Sequence, residues 1–534
     1  MSVETSAGAL GDSGHAGLGA LPKRSLGGLI AISIFWFALN FHWAALPLQL
    51  IPSQISALLL SEAPAGSLAS QAAWAKEHSG LALAIVLAPG LIVALLANPF
   101  FGLLSDRTPG RFGRRRPYVL IGTLVNVVGL AIMAVLPATV AGGHSGNVVS
   151  PALLVLMGGL MLVQLANNSA AAPFHALLPD LVPEEQRGLA SGIMGLAFWC
   201  GTISGAVVPT FFGFNSNALL SGTQDAATFQ QGIVLGYAST AVVILLMAIL
   251  TFVFVREMPW HPSMMSAEQR HSQRHTLRDI GVTVVVLLVF VSAVLLVTRE
   301  LGQTLGEDGM SYLQLIGVAI AAVGAAFAFD FRPRRNPDFT WVVLTRMLVM
   351  MGVYLVENFL QFYMRDVAHA SSPESATALF IILLTIAATL STLFAGWASD
   401  RVGRKRMVYI SGSFMAFVGA VFVIAPFVFP GAILPVSYVM GAIFGLGFGA
   451  YVSVDWALVA DVLPSKETFA RDMGVWNIGL TLPQVLAAVF GGWLLALGGA
   501  VGNLSLGYTL LFISLVIFCV LGTVTVRFIR GVKR

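Results

Sequence analysis

Ionisable groups are scarce in the apolar part of this chain, so the few found there carry the chemistry to be explained. Glu357 stands in a long apolar run, within a stripe of Arg346, Met350, Tyr354, Glu357, Gln361 and Arg365. Steps of four and three residues put this stripe on one helical face. A carboxylate at membrane depth can carry a proton, accept from a solute hydroxyl, or make a structural bond to a neighbouring helix. Arg346 lies too far from Glu357 to pair with it along one helix, at about 1.5 Å per residue, and is expected to snorkel to the membrane edge. Asp455 follows the run Gly445-Leu446-Gly447-Phe448-Gly449. It is a candidate proton carrier, or the partner of an arginine in the other half of the chain. His42 and His175 join Glu357 and Asp455 as proton-coupling candidates, because imidazole titrates near pH 6.5; packing is their alternative role.

Uncharged polar side chains make further stripes. Gln164, Asn168, Ala171 and His175 share a face, as do Asn477, Thr481 and Gln484, and Trp36, Asn40 and Trp43 with His42 beside them. Amides and hydroxyls both donate and accept hydrogen bonds, and indoles stack on the apolar faces of sugar rings. Any one stripe could be polar glue between helices. Together they favour a polar cavity, with Trp36, Asn40, Trp43, Gln164, Asn168, Tyr354, Gln361, Asn477 and Gln484 as candidate solute-binding residues. No nucleotide-binding loop, metal-ligand spacing or nucleophile elbow occurs in the sequence. No catalytic residue, metal or cofactor is expected, and an enzyme is not.

The elements that position these residues follow from composition. Of 534 residues, 57% are hydrophobic and 10% charged, against roughly 25% charged in soluble domains. The expectation is an all-α polytopic membrane protein. Cys200 and Cys519 both lie in apolar runs and read as packing residues. Apolar runs of about 20 residues fall at 26–52, 80–104, 118–139, 150–177, 189–213 and 231–254, then at 280–298 and 311–330, then at 341–363, 375–398, 407–429, 432–461, 473–498 and 505–528. These are about fourteen spans: two blocks of six (25–255 and 336–528), separated by a polar linker and an inserted hairpin (256–335). Tails at 1–24, expected to be disordered, and 529–534 complete the chain. With both termini cytoplasmic, 25 of the 29 Lys and Arg residues fall on the cytoplasmic side. The net charge of +4 is thereby explained by topology, and no nucleic-acid partner is expected.

The two blocks repeat each other. Gly102-Leu-Leu-Ser-Asp106-Arg107 with Gly113-Arg114-Arg115-Arg116 returns as Gly396-Trp-Ala-Ser-Asp400-Arg401 with Gly403-Arg404-Lys405-Arg406. His175-Ala-Leu-Leu-Pro-Asp180 is echoed by Trp456-Ala-Leu-Val-Ala-Asp461 at the end of the fourth span of each block. Repeated halves around a midplane site are the architecture of secondary transporters.

The duplicated loop resembles the signature loop of the major facilitator superfamily. The first copy, from Gly102 through Ser105-Asp106-Arg107 and Arg111-Phe112-Gly113-Arg114-Arg115-Arg116-Pro117, is similar to that of sucrose transporters and their relatives in the glycoside–pentoside–hexuronide group. Ala166-Asn167-Asn168, Pro173 and Ala176-Leu177-Leu178 extend the likeness, which is strong over about 98–190. The resemblance implies two six-helix bundles and a conformational gate built from Gly102, Asp106, Arg107, Gly113, Arg114 and Asp180 in one half and Gly396, Asp400, Arg401, Arg404 and Asp461 in the other. Arg107 and Arg114 are expected to pair with Asp180. The chain also departs from the group: Gln164 stands where plant sucrose transporters carry an aspartate linked to the coupled proton, and His175 replaces an arginine.

The leading expectation is a secondary active transporter for a small polar solute, a sugar or glycoside. It would work by alternating access, as proton-coupled symport or as uniport, as a monomer in the plasma (bacterial inner) membrane. Two alternatives stand beside it: a drug or metabolite efflux antiporter of the same superfamily, and a non-transporting sensor or assembly factor. The fifth span lacks the Gly-Pro signature of the antiporters.

Overall fold

A computed structural model describes residues 23–108, 110–257, 336–462 and 469–530. The inserted hairpin and nearly all of its linker lie outside the described residues. Among the described residues, twelve helices are long and apolar enough to cross a membrane. They are α1 (Leu26–Glu62), α2 (Leu68–Arg107), α3 (Arg116–Val140), α4 (Pro151–Leu181), α5 (Arg187–Val207), α6 (Ala226–Phe254), α7 (Pro337–Asp366), α8 (Pro373–Val402), α9 (Arg404–Val428), α10 (Ile433–Val462), α11 (Phe469–Ala500) and α12 (Leu504–Thr525). A short helix, Ser216–Leu220, lies between α5 and α6.

Local chemistry sets the ends of these helices. Ser25, Ser67, Ser150 and Ser372 cap α1, α2, α4 and α8, each accepting from a backbone amide of the first turn. Proline opens α4, α7 and α8, where its missing N–H costs nothing. α1 is interrupted by a π-helical turn over Leu46–Leu50, which contains Pro47 and is followed by Pro52. The prolines remove ladder donors and widen the helix there. α2 begins at Leu68, well before the apolar run at 80. From its third turn on it packs on α11: Glu77 lies against Gly499, and Gly80 against Leu495.

The packing repeats as the sequence does. The pairs α2–α4, α3–α4, α1–α5 and α3–α6 recur six helices later as α8–α10, α9–α10, α7–α11 and α9–α12. The blocks meet through α2–α11 and α5–α8, two contacts related by the same repeat. Close helix crossings depend on glycine. A Cβ at Gly201 or Gly205 would lie 2.3 or 2.2 Å from the carbonyl oxygens of Phe37 and Phe41, and one at Gly445 or Gly449 would lie 2.2 Å from those of Leu384 and Ala388. Backbones this close gain dispersion contacts, which matter where lipid offers no hydrophobic drive.

Candidate functional site

A narrow cavity of about 30 Å³ opens between the blocks. α1 contributes His42, Trp43, Leu46, Pro47 and Ile51, so the π turn forms part of its wall. Gln164 reaches it from α4, Tyr354, Glu357 and Asn358 from α7, and Gln484 from α11. Leu87, Leu91 and Leu160 supply an apolar side. Three buried polar atoms of the lining, His42 Nδ1, Gln164 Oε1 and Asn358 Nδ2, make no hydrogen bond within the protein. An acceptor and a donor left free at a wall are what a hydroxylated solute would use.

Of the solute-binding candidates, Trp43, Gln164, Tyr354 and Gln484 thus come together, with Glu357 and His42 beside them. The others are placed elsewhere. Trp36 stacks on His175 at 4.6 Å. Asn40 donates to the Trp36 carbonyl. Asn168 donates to the Gln164 carbonyl and accepts from Asn98 at 3.2 Å, joining α4 to α2. The side chain of Asn477 lies outside the described residues. Asn358 was missed because it sits one residue off the stripe, a turn of about 100° around the helix.

The stripe on α7 serves three environments. Its middle lines the cavity. Near the end with the basic loops, Arg346 forms an ion pair with Asp455 of α10 and lies 3.6 Å over the Trp476 ring. Arg346 is 6% exposed, so the expectation that it snorkels to the edge is wrong. Asp455 does pair with an arginine, but within its own block. Burial explains the pairing: an unpaired charge at this depth is too costly.

The far end of the stripe enters a network that ties the blocks together. Glu374, the second residue of α8, is fully buried. Its Oε1 accepts from Ser53 Oγ at 2.9 Å, Gln361 Nε2 at 3.1 Å and the Ser216 amide at 3.0 Å. Gln49 donates to the Glu374 carbonyl, and Gln361 also donates to Ser53 Oγ at 2.6 Å. Arg365 is held by Asp366 through two bonds of 2.7 and 2.9 Å, and donates to Ser56 and Ser79 of the first block. Asn215 and Asn217 reach the carbonyls of Ser371 and Ala370. Gln361 therefore lies in this network and not in the cavity.

At the opposite end, the first basic loop ties four helices. Arg114 and Arg115 both bond Asp180 of α4, at 2.8 and 3.2 Å. Arg115 also donates to Ser105 of α2 at 2.7 Å, and Arg116 to the Phe252 carbonyl of α6 at 2.6 Å. Glu257, just past α6, accepts from the amide of Arg115 at 3.0 Å. Gly113 has φ of +90°, and a Cβ there would strike Glu257. Gly403, its counterpart, has φ of +96°, so the repeat extends to the backbone. Gly102 lies in open space, and Arg401 and Arg404 are described at the second loop. The side chains of Asp106, Arg107, Asp400 and Asp461, and the surroundings of Gly396, lie outside the described residues.

The sequence matches the profile of the Major Facilitator Superfamily over residues 28–356 and 342–534. The chain belongs to the major facilitator superfamily. Among characterised members, this facilitator is similar to sucrose transport protein SUC3 of Arabidopsis thaliana, 32% identical over 126 residues, which cover 22% of this chain and 21% of that protein. It is also similar to proton-associated sugar transporter A of Homo sapiens, 29% identical over 181 residues, 32% of this chain and 22% of that one. The chain thus matches about a fifth of the length of these relatives. A solved D-xylose-proton symporter superposes with a TM-score of 0.61 at 16% identity, over 95% of this chain and 99% of that one. That likeness shows the shared fold.

Proposed function

We propose that this facilitator is a secondary transporter that moves a small polar solute, a sugar or glycoside, by alternating access and in symport with protons. One observation carries the reading: Trp43 and Gln164 of the first block face Tyr354, Glu357 and Gln484 of the second across one cavity. A site shared by two repeated blocks is exposed to either side as the blocks rock. An indole, amides, a phenol and a carboxylate suit a ring with many hydroxyls. The sugar-transporter relatives support the same solute class.

With both termini in the cytoplasm of a bacterial cell, the basic loops face inward and the Glu374 network closes the outside. A cavity of about 30 Å³ is an order of magnitude below the usual ligand pocket, so the helices must part to admit a sugar. Glu357 is the better placed carboxylate for a proton linked to solute, because Asp455 is committed to Arg346. We read the duplicated Asp-Arg loops as latches on the inner side, and the monomer as the working unit.

Uptake of labelled mono- and disaccharides into proteoliposomes, with and without an inward proton gradient, tests this. Sugar uptake that the gradient increases is expected. Uptake of lipophilic cations with no sugar uptake would replace the solute class.

A further inference from the structure

The two blocks handle the charge of their basic loops differently. Gly113, Gly122 and Gly129 return at Gly403, Gly412 and Gly419, so Arg115 and Arg116 correspond in the repeat to Lys405 and Arg406. In the first block both arginines are buried. Asp180 takes Arg115, the Phe252 carbonyl takes Arg116, and Glu257 accepts from both backbone amides. In the second block Lys405 donates to the Ile529 carbonyl, while Arg406 is exposed and makes no ion pair or hydrogen bond among the described residues. Where Glu257 follows α6, Arg527 and Arg530 follow α12, and both are exposed. Asp338 of α7 reaches this corner, where it accepts from the Arg530 amide.

Arg406 and Arg527 each end an exposed apolar face. On α9, Arg406 leads into Ile410, Phe414 and Phe417, and on α12, Leu521 and Val524 lead to Arg527. The steps of three and four residues keep each set on one side of its helix. α9 and α12 pack together, with Gly412 against Thr523 and Gly419 against Val516, so the two arginines stand at one depth. Phe528 stacks on Trp341 at 4.5 Å, and the Arg527 guanidinium lies 4.5 Å over the Phe528 ring. Aromatic side chains of this kind gather at the headgroup level.

We propose that this corner binds the phosphate of an anionic phospholipid, with the acyl chains lying along the exposed faces of α9 and α12. Guanidinium forks match phosphate oxygens, and the apolar side chains beyond them match the chains. A soluble anion would use only the first of these features, and a zwitterionic lipid adds a cation that the arginines repel. Basic residues are expected in any inner loop. The first block neutralises its buried pair from within, and the second leaves that role to lipid.

The protein in neutral detergent is titrated with phosphatidylglycerol or with phosphatidylcholine of the same chains, and bound lipid is counted by native mass spectrometry. Wild type should prefer phosphatidylglycerol by about twenty-five-fold, at about fivefold per arginine. Arg406→Gln with Arg527→Gln should remove the preference without lowering the melting temperature. Arg111→Gln with Arg256→Gln, exposed positions at the corner that holds Glu257, should keep it. Glycerol phosphate at the same concentration should not displace the lipid. Equal binding of the two lipids by wild type overturns the proposal whether or not the variants fold. So does a preference that survives the first pair of substitutions, or one lost equally with the second pair. Displacement by glycerol phosphate would make the ligand a soluble anion and overturn the lipid assignment. None of these outcomes depends on which solute is carried.

Discussion

Arg346 and Asp455 neutralise each other in a buried ion pair between α7 and α10, with the guanidinium lying over the ring of Trp476. The pair joins two helices of one block, beside the wall that Tyr354 and Glu357 give to the cavity. Removing one partner leaves a bare charge. Asp455→Asn or Arg346→Gln alone should cost about 3–5 kcal/mol. The double substitution to Met and Leu should recover much of that loss. Thermal unfolding in detergent reads both, and additive losses in the double variant would contradict the pairing.

Glycine substitutions should split by sign. Gly158 on α4 has no neighbour within 4 Å of an added Cβ, so Gly158→Ala gains helix propensity worth about 1 kcal/mol. Gly449→Ala would place its methyl 2.2 Å from the Ala388 carbonyl oxygen and should push α8 and α10 apart. Melting temperatures should rise for the first and fall for the second. Equal shifts would mean that close crossing on α10 does not support the fold.

The two arginines on Asp180 should differ. Arg114 is half-exposed, and its pair with Asp180 is worth at most about 1 kcal/mol. Arg115 is buried and also holds Ser105, so Arg115→Ala should cost about 2–3 kcal/mol. Denaturation midpoints of the two alanine variants measure the gap, and equal midpoints would remove Arg115 as the anchor of the loop.

Glu257 gives a pH prediction outside the membrane. Burial raises its carboxyl above the ordinary value of 4.5, against the lowering pull of the Arg115 and Arg116 amides and guanidiniums. A raised value means that the folded chain holds the proton more tightly than the unfolded one. That contribution is complete below about 4.5 and is lost as pH rises through the folded value. Glu257→Gln should flatten the decline, so its stability relative to wild type should improve as pH rises from 4 to 8. A gap that stays constant or reverses would contradict the assignment.

Much of this fold was legible because apolar length and basic loops are global signals. The twelve described helices follow the apolar runs, and the repeat of Gly113 at Gly403 reaches down to the backbone angle. Stripe membership was less informative. Arg346, Glu357 and Gln361 share one face of α7, yet that helix is long enough to pass an ion pair, a cavity and an inter-block network. Spacing cannot say which of these each residue meets. Glu374 was hidden for another reason. Its partners Ser53 and Ser216 come from distant elements of the first block, and the residue itself stands just before an apolar run, where a carboxylate reads as loop.

The most direct test of the shared cavity is sugar counterflow. Proteoliposomes loaded with unlabelled sucrose are diluted into a trace of labelled sucrose, and the transient accumulation of label is followed. Wild-type protein should overshoot, and the double variant Gln164→Ala with Gln484→Ala, one residue from each block, should abolish the overshoot while remaining folded. An overshoot that survives in the double variant would contradict a sugar site between the blocks.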